Sequence, residues 1–267
     1  MLERPKIGLA LGSGAARGLA HIGVLKALEE IGIEIDMISG SSAGALIGGL
    51  YCTGISPNMI ENLAIQIDKK MWTDFTMPKK GIIKGDRIQE ILKLITADKN
   101  IEELDKKLII VATDLKNGEE MVFTEGSIHT AIRASISIPG IFEPVEYNGR
   151  ILVDGGVVDR VPISVLKNMG ADIVIGIDVG FSKYQSKFIH MFDIILQSID
   201  IMTKQIMESD LALADIIIAP PLSHIESSKF ELVEECANIG YESTMAKKDK
   251  ILDIVNNYKD DKYLQEL

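Results

Sequence analysis

A chain of 267 residues, 46% hydrophobic and 25% charged, has ample material for one large α/β domain or two small ones. A net charge of −11 excludes nucleic acid as the natural partner and argues against tight docking on anionic lipid, while leaving transient apolar contact with a membrane open. The two cysteines, Cys52 and Cys236, lie outside any C-x-x-C pair, so buried inert thiols are expected, with no metal site, redox motif or cofactor.

Met1 to Lys6 leads into a short apolar run, Ile7–Leu11, which suits a buried strand. Glycines and Arg17 break the apolar character immediately after this run, so no signal peptide is expected. Gly18 to Ile31 has apolar residues at helical spacing and stops at Gly32. Asp36 to Ser39 reads as a strand and Ala43 to Cys52 as a helix. Ser56-Pro57 opens a helix through Ile67, with Ser56 as N-cap. Asp86 to Ile95 places Ile88, Ile91, Leu92 and Ile95 on one helical face. Lys107 to Thr113 predicts a central strand, and Asn117-Gly118 a hairpin into Met121–Phe123. A helix is expected from Ser127 to about Ser135. Asn148-Gly149 predicts a second hairpin, between Pro144–Tyr147 and Arg150–Val153.

Pro162 to Met169 reads as a short helix and Asp172 to Asp178 as a buried strand. Phe188 to Ala214 reads as one or two helices, then Ile216–Ile218 as a last strand. Phe230 to about Tyr258 is a helical tail. Alternating strands and helices predict a three-layer α/β/α fold with a mostly parallel, mixed sheet. With no linker and no repeat, residues 1–267 are expected to form a single domain, its core about 6–220. No uncharged apolar stretch reaches 18 residues, so no transmembrane helix is expected. The expected location is the cytoplasm, at most peripheral at a membrane.

Sites in such sheets form where loops leave the carboxyl ends of strands. Three such loops carry chemistry. Gly40-Ser41-Ser42-Ala43-Gly44 reads Gly-x-Ser-x-Gly at a strand-to-helix turn, which exposes Ser42 as a candidate nucleophile. Gly40 and Gly44 leave room where a Cβ would clash. The alternative is a chance match in a Gly/Ser-rich loop. Gly12-Ser13-Gly14-Ala15-Ala16-Arg17-Gly18 joins strand to helix and offers backbone N–H groups to an anion. Alternatives are a bare tight turn, or a dinucleotide loop with Asp36 as ribose acid. Arg17 stands where that fingerprint wants glycine. Arg17 itself is expected to hold loop carbonyls or a carboxylate. Asp154-Gly155-Gly156 is by itself a common turn. Its place at a strand end, beside the other two loops, makes Asp154 a candidate base.

Of the histidines, His190 and His224 are the candidates in the chain order of an α/β-hydrolase, but neither sits in a strand-end loop. His129 falls in the helix after Ser127. His21 is expected to hold the first helix or its loop. A Ser–Asp pair without histidine is therefore a reading the residues support, with a desolvated carboxylate of raised pKa as base.

Gly12-x-Gly14-x-x-Arg17-Gly18, Gly-x-Ser42-x-Gly and Asp154-Gly-Gly together resemble the patatin-like phospholipases. So do Leu19–Leu25, Ala134-Ser135-x-x-x-Pro139 and Asp159-x-x-Pro162, over about residues 6 to 220. The resemblance implies the three-layer fold and hydrolysis of acyl esters, usually lipids or lysophospholipids, by a Ser42–Asp154 dyad. The backbone of Gly12, Gly14, Ala15 and Ala16 would form the oxyanion hole, supported by Arg17, Gly18, Gly40, Gly44, Gly155 and Gly156. Ala15 and Ser13 replace frequent glycines, so the hole requires Ala15 to adopt the backbone angles of the loop. Ser41 replaces a frequent threonine.

Two other activities suit the same residues: acyl transfer to an alcohol, and a catalytically idle regulatory protein. The lipid or other acyl-ester substrate needs an apolar path. Met71 to Lys80, which holds the only tryptophan, is either a lid, an interfacial contact or a surface loop anchored to the core. In the 188–207 helix Asp193, Gln197, Asp200, Lys204 and Glu208 form one polar stripe. Its wide apolar face is expected to pack inside, with a homodimer interface or membrane contact as alternatives.

Overall fold

In the computed structural model, which describes residues 4–67, 71, 73–76, 80–180 and 191–265, eight strands form one mixed sheet. They are β1 (Ile7–Leu11), β2 (Met37–Ser41), β3 (Lys107–Asp114), β4 (Glu119–Phe123), β5 (Val145–Tyr147), β6 (Arg150–Asp154), β7 (Ile173–Ile177) and β8 (Ile216–Ile218). The hydrogen-bonded order is β5-β6-β3-β2-β1-β7-β8, with β4 also paired to β3. Strands β1, β2, β3, β7 and β8 are parallel, while β4 and β6 run antiparallel to β3.

The helices are α1 (Ala20–Ile31), α2 (Ala43–Cys52), α3 (Pro57–Gln66), α4 (Asp86–Ile95), α5 (Ile128–Ser135), α6 (Ile163–Asn168), α7 (Met191–Leu211), α8 (Val233–Met245) and α9 (Lys248–Gln265). Alternate strand residues serve two cores. Ile7, Leu9 and Leu11 join Leu108 and Ile110 under α1, α2, α5 and α8. Ala10, Ile109 and Val174 join Val165 and Leu166 of α6 on the other face. Helices on both faces explain why the strands read as unbroken apolar runs. Each fully buried Leu or Ile contributes about 1.5–3 kcal/mol relative to exposure. This is the three-layer α/β/α architecture expected from the sequence.

Local signals acted where predicted. Ser56 Oγ accepts the Met59 N–H at 3.3 Å, Gly32 closes α1 at φ 82°, and Asn148 and Gly149 turn at φ 47° and 77°. Strand β2 runs two residues beyond its expected end, to Ser41, which makes the turn into α2 tighter.

Two expectations are corrected. The segment expected as a tail beyond the core is part of it: Val233, Cys236, Ala237 and Ile251 are buried with the sheet residues. Helix α8 seats on α1 through glycines. A Cβ on Gly23 would lie 1.7 Å from the Ala237 carbonyl oxygen, and one on Gly240 would lie 2.0 Å from that of Ala20.

The second correction concerns the 188–207 helix. Its first three residues, 188–190, and the side chains of Lys204 and Glu208 lie outside the described residues. Elsewhere the polar stripe faces inward: Asp193 and Asp200 are buried, and Asp200 pairs with the buried Arg160. Met191, Ile194, Ile201 and Met202 face outward, each more than half exposed. Arg160, forty positions away, draws the stripe in, because a buried guanidinium needs a carboxylate partner. No described helix is long and apolar enough to cross a membrane.

Gly23→Ala should destabilise the fold by about 1–3 kcal/mol through overpacking against the α8 backbone. Urea unfolding measures it as a lower midpoint. A midpoint equal to the parent's would mean that α8 does not seat on α1 in this way.

Candidate active site

Strand β3 has three neighbours. Along Lys107–Val111 it pairs with β2, along Ala112–Asp114 with β6, and along Ile110–Asp114 with β4. Two strands paired to the same residues must occupy opposite edges, so β2 and β6 share one edge and meet end to end. Ser41 is opposite Val111, and Asp154 is opposite the next residue, Ala112. The register alone thus brings Ser42 and Asp154 together across 112 positions of chain.

Ser42 lies between β2 and α2 at φ 52° and ψ −118°, a strained conformation for a residue with a Cβ. The turn fits because its glycines are short of space rather than left-handed. A Cβ on Gly44 would lie 1.9 Å from the Leu11 carbonyl oxygen, and one on Gly40 would lie 2.6 Å from the Ala45 nitrogen. Ser42 Oγ donates to Asp154 Oδ2 at 2.6 Å, and both side chains are buried. Asp154 Oδ1 accepts the Gly156 N–H at 2.8 Å. Burial pushes the Asp154 carboxyl up to about 7, against the pull of the Ser42 and Gly156 hydrogen bonds and the Arg160 charge.

The 12–18 loop stands against the same turn. A Cβ on Gly18 would lie 2.2 Å from that of Ala43, and Ser13 Oγ donates to Ser41 Oγ at 3.1 Å. Gly156 completes the junction, since a Cβ there would lie 2.4 Å from Ser13 Oγ. Of the four expected oxyanion donors, Gly12 N–H is bound to the Ile177 carbonyl at 3.0 Å and Ala16 N–H to the Ser227 carbonyl at 3.1 Å. The N–H groups of Gly14 and Ala15 have no hydrogen-bond partner among the described residues. Ala15 adopts φ 48°, the left-handed angle the loop requires, at a cost of about 1–2 kcal/mol.

Arg17, buried, donates to the carbonyls of Ile225 at 2.9 Å and Gly180 at 2.7 Å. His21 Nε2 lies 2.8 Å from the Gly12 carbonyl oxygen, and burial pulls its pKa down to about 4, so the neutral ring donates there. His129 faces Asp98 and His224 faces Glu235, while His190 lies outside the described residues. Asp36 accepts the Ile7 N–H and pairs with Arg4, a structural post rather than a ribose acid. Cys52 and Cys236 are buried free thiols.

From Ser42 and Ala15 a cavity of about 800 Å³ extends between α2, α3 and α4, walled by Leu46, Leu50, Ile60, Leu92 and Phe142. A second space of about 20 Å³ lies beside Asp154, Ser13 and Asp200. Of the Met71–Lys80 segment, Trp72 and Met77–Lys79 lie outside the described residues. Phe75 is exposed and bridges to Ile83. One contributor had no assigned role in the sequence: Ser135 Oγ, from the end of α5, accepts the Ser42 N–H at 2.9 Å.

A family model described as patatin-like phospholipase matches residues 9–167. The chain belongs to the patatin-like phospholipase family. It is 37% identical over 186 residues to an uncharacterized NTE family protein of Mycobacterium bovis, a match covering 67% of this chain and 50% of that one. Over 186 residues it is 36% identical to the lysophospholipase NTE1 of Candida glabrata, covering 67% and 11%. The chain thus spans about half the length, or less, of these curated relatives. The solved structure of VipD from Legionella pneumophila shares the fold, with a TM-score of 0.66 over 93% of this chain and 67% of that one, at 16% identity. In this patatin-like fold the Ser42 turn, the 12–18 loop and Asp154 converge at one end of the sheet.

Asp154 also makes stability depend on pH. Its carboxyl ionises near 4 when unfolded and near 7 when folded. Stability is therefore lost as pH rises through that window, because only the unfolded chain gains the charge freely. Asp154→Asn escapes this loss. Its melting temperature should exceed the parent's by several degrees at pH 8, and the gap should close towards pH 4. A gap that is constant with pH would rule out the raised pKa.

Proposed function

We propose that this chain is a serine hydrolase of lipid carboxylic esters, with Ser42 as nucleophile and Asp154 as base, and that residues 1–267 form one hydrolase domain. The observation that carries the reading is the 2.6 Å contact of Ser42 Oγ with a buried carboxyl at the head of an apolar cavity. Asp154 accepts the Ser42 proton as Oγ attacks the ester carbonyl. The negative oxygen of the tetrahedral intermediate faces the N–H groups of Gly14 and Ala15 in the 12–18 loop, which packs against the start of α2. Collapse breaks the ester bond, and the proton passes from Asp154 to the departing alcohol. Water then attacks the acyl-enzyme, again giving its proton to Asp154, and Ser42 is restored. A carboxyl near 7 suits this task, being both ionised and basic close to neutrality.

The cavity accommodates an acyl chain: its walls are mostly Leu and Ile, while Lys229, Glu231 and Glu234 give one side polar character for an alcohol group. Its volume falls in the range of ordinary ligand pockets. The name of the Candida glabrata relative, a lysophospholipase, supports a single-chain lipid ester as substrate. Acyl transfer would use the same pair. The 20 Å³ space beside Asp154 favours hydrolysis, since it has room for about one water and polar walls to hold it. Ser42→Ala and Asp154→Asn should each lower p-nitrophenyl ester turnover by at least about 10³-fold with the fold intact. In the parent, kcat/KM should climb tenfold per pH unit below about 7 and then level. Full activity in either variant would sink the pair.

We assign the outward apolar face of α7 to transient contact with a lipid surface, consistent with a cytoplasmic protein peripheral at the membrane. Ile195 and Leu196, on the packed side of this helix, rest on the cluster of Ile138, Ile141 and Phe142, and Phe142 lines the cavity, so the helix that carries the outward face runs beside the site. Ile194→Glu with Met202→Glu should weaken sedimentation with neutral phosphatidylcholine vesicles several-fold, leaving hydrolysis of a soluble short-chain ester unchanged. If binding is unaltered and light scattering instead shows a dimer that these changes dissociate, the face belongs to a homodimer.

A further inference from the structure

The backbones of Ser42 and Asp154 are gripped by one short segment at the end of α5. Ser135 Oγ accepts the Ser42 N–H at 2.9 Å and donates its own proton to the Val111 carbonyl at 2.6 Å. Two residues on, the Ser137 carbonyl accepts the Asp154 N–H at 2.9 Å. Ser135 and Ser137 are fully buried. Because Ser135 gives its proton to Val111, its lone pairs are turned to Ser42, and the hydroxyl rotor has one satisfactory setting. The segment is itself anchored. Arg133, also buried, donates to Ser137 Oγ at 2.6 Å and to the carbonyls of Gly85, Lys84 and Glu143. Its guanidinium carbon sits 5.2 Å from the centre of the Phe142 ring, in the cavity wall.

We propose that Arg133–Ser137 is a brace that sets the separation of Ser42 from Asp154, with Ser135 as the positioning residue that holds Ser42 in its strained turn. The proposal rests on the Ser42–Asp154 reading above. The need for a brace is physical. Ser42 occupies a conformation that its own side chain disfavours, and such a conformation persists only where the surroundings over-determine it. The sheet register brings Ser42 and Asp154 to neighbouring positions but leaves the Ser42 N–H, one residue past the end of β2, without a strand partner. Ser135 supplies one. Without it the turn can relax, and displacement by about 1 Å of a reacting group costs on the order of 10² in rate.

The test compares Ser135→Ala, Ser135→Cys and Ser135→Thr with the parent and with Ser42→Ala. Cysteine fills the space of serine but is a weak acceptor, whereas threonine keeps the hydroxyl. Ser135→Ala and Ser135→Cys should lower kcat about 10²-fold with little change in KM, and the Ser42 amide should exchange with solvent about tenfold faster or more. Ser135→Thr should recover most of both. A merely structural serine would lower the melting temperature while leaving kcat and Ser42 exchange at parent values in the folded variant, and that result overturns the proposal. Ser42→Ala separates the two failures. If it turns over ester like the parent, the catalytic reading is wrong. If it is inactive while Ser135→Ala and Ser135→Cys keep full kcat, only the brace is wrong.

Discussion

The site depends on a shared strand edge. Strand β3 is long enough to pair with β2 along its first half and with β6 along its second, on the same side, from opposite directions. Each strand must stop where the other begins. The chain leaving β2 therefore has to turn out of the sheet at once, and Ser42 is the residue that turns. The chain leaving β6 has to turn out at the same place, and Asp154 is the residue that ends it. Their contact is a consequence of ladder geometry, with no need for an attraction between them.

That geometry carries costs that neighbouring elements offset. Ser42 and Ala15 hold left-handed backbone angles without being glycines, and Asp154 is a carboxyl buried in a region of few countercharges. Of the order of 1–3 kcal/mol is stored at each strained residue. Close packing keeps them in place. The glycines at 18, 44 and 156 let the three loops approach until any Cβ would collide, and Ser13, Ser41 and Ser135 tie the loops with hydroxyl groups. The same burial that costs stability raises the Asp154 pKa into the range where a carboxylate acts as a base near neutrality.

The opposite face of the sheet shows polar demand overriding pattern. Buried Arg160 requires Asp200, and α7 turns its polar stripe inward to provide it. Met191, Ile194, Ile201 and Met202 of α7 then face outward, against the usual direction of amphipathicity. An unpaired buried charge costs more than several exposed methyl groups, so the ion pair decides the orientation.

The chain's local code was sufficient for much of this. Apolar runs, the Ser56 cap, Asn-Gly turns and Gly32 placed nearly every element, because caps and turns act over four or five residues. The ordered loops around Gly14, Ser42 and Asp154 also marked the candidate residues before any contact was known. Tertiary structure alone decided the rest. Which N–H groups of the 12–18 loop stay free depends on the carbonyls of Ile177 and Ser227, far along the chain. The direction of α7 depends on Arg160, and the hold on Ser42 on Ser135, 93 positions away. Sequence by itself determines what each segment can become, since propensity and periodicity are local. It does not reveal which polar group meets which, because that is settled by burial, when each donor and acceptor removed from water must find whatever partner the fold has brought near.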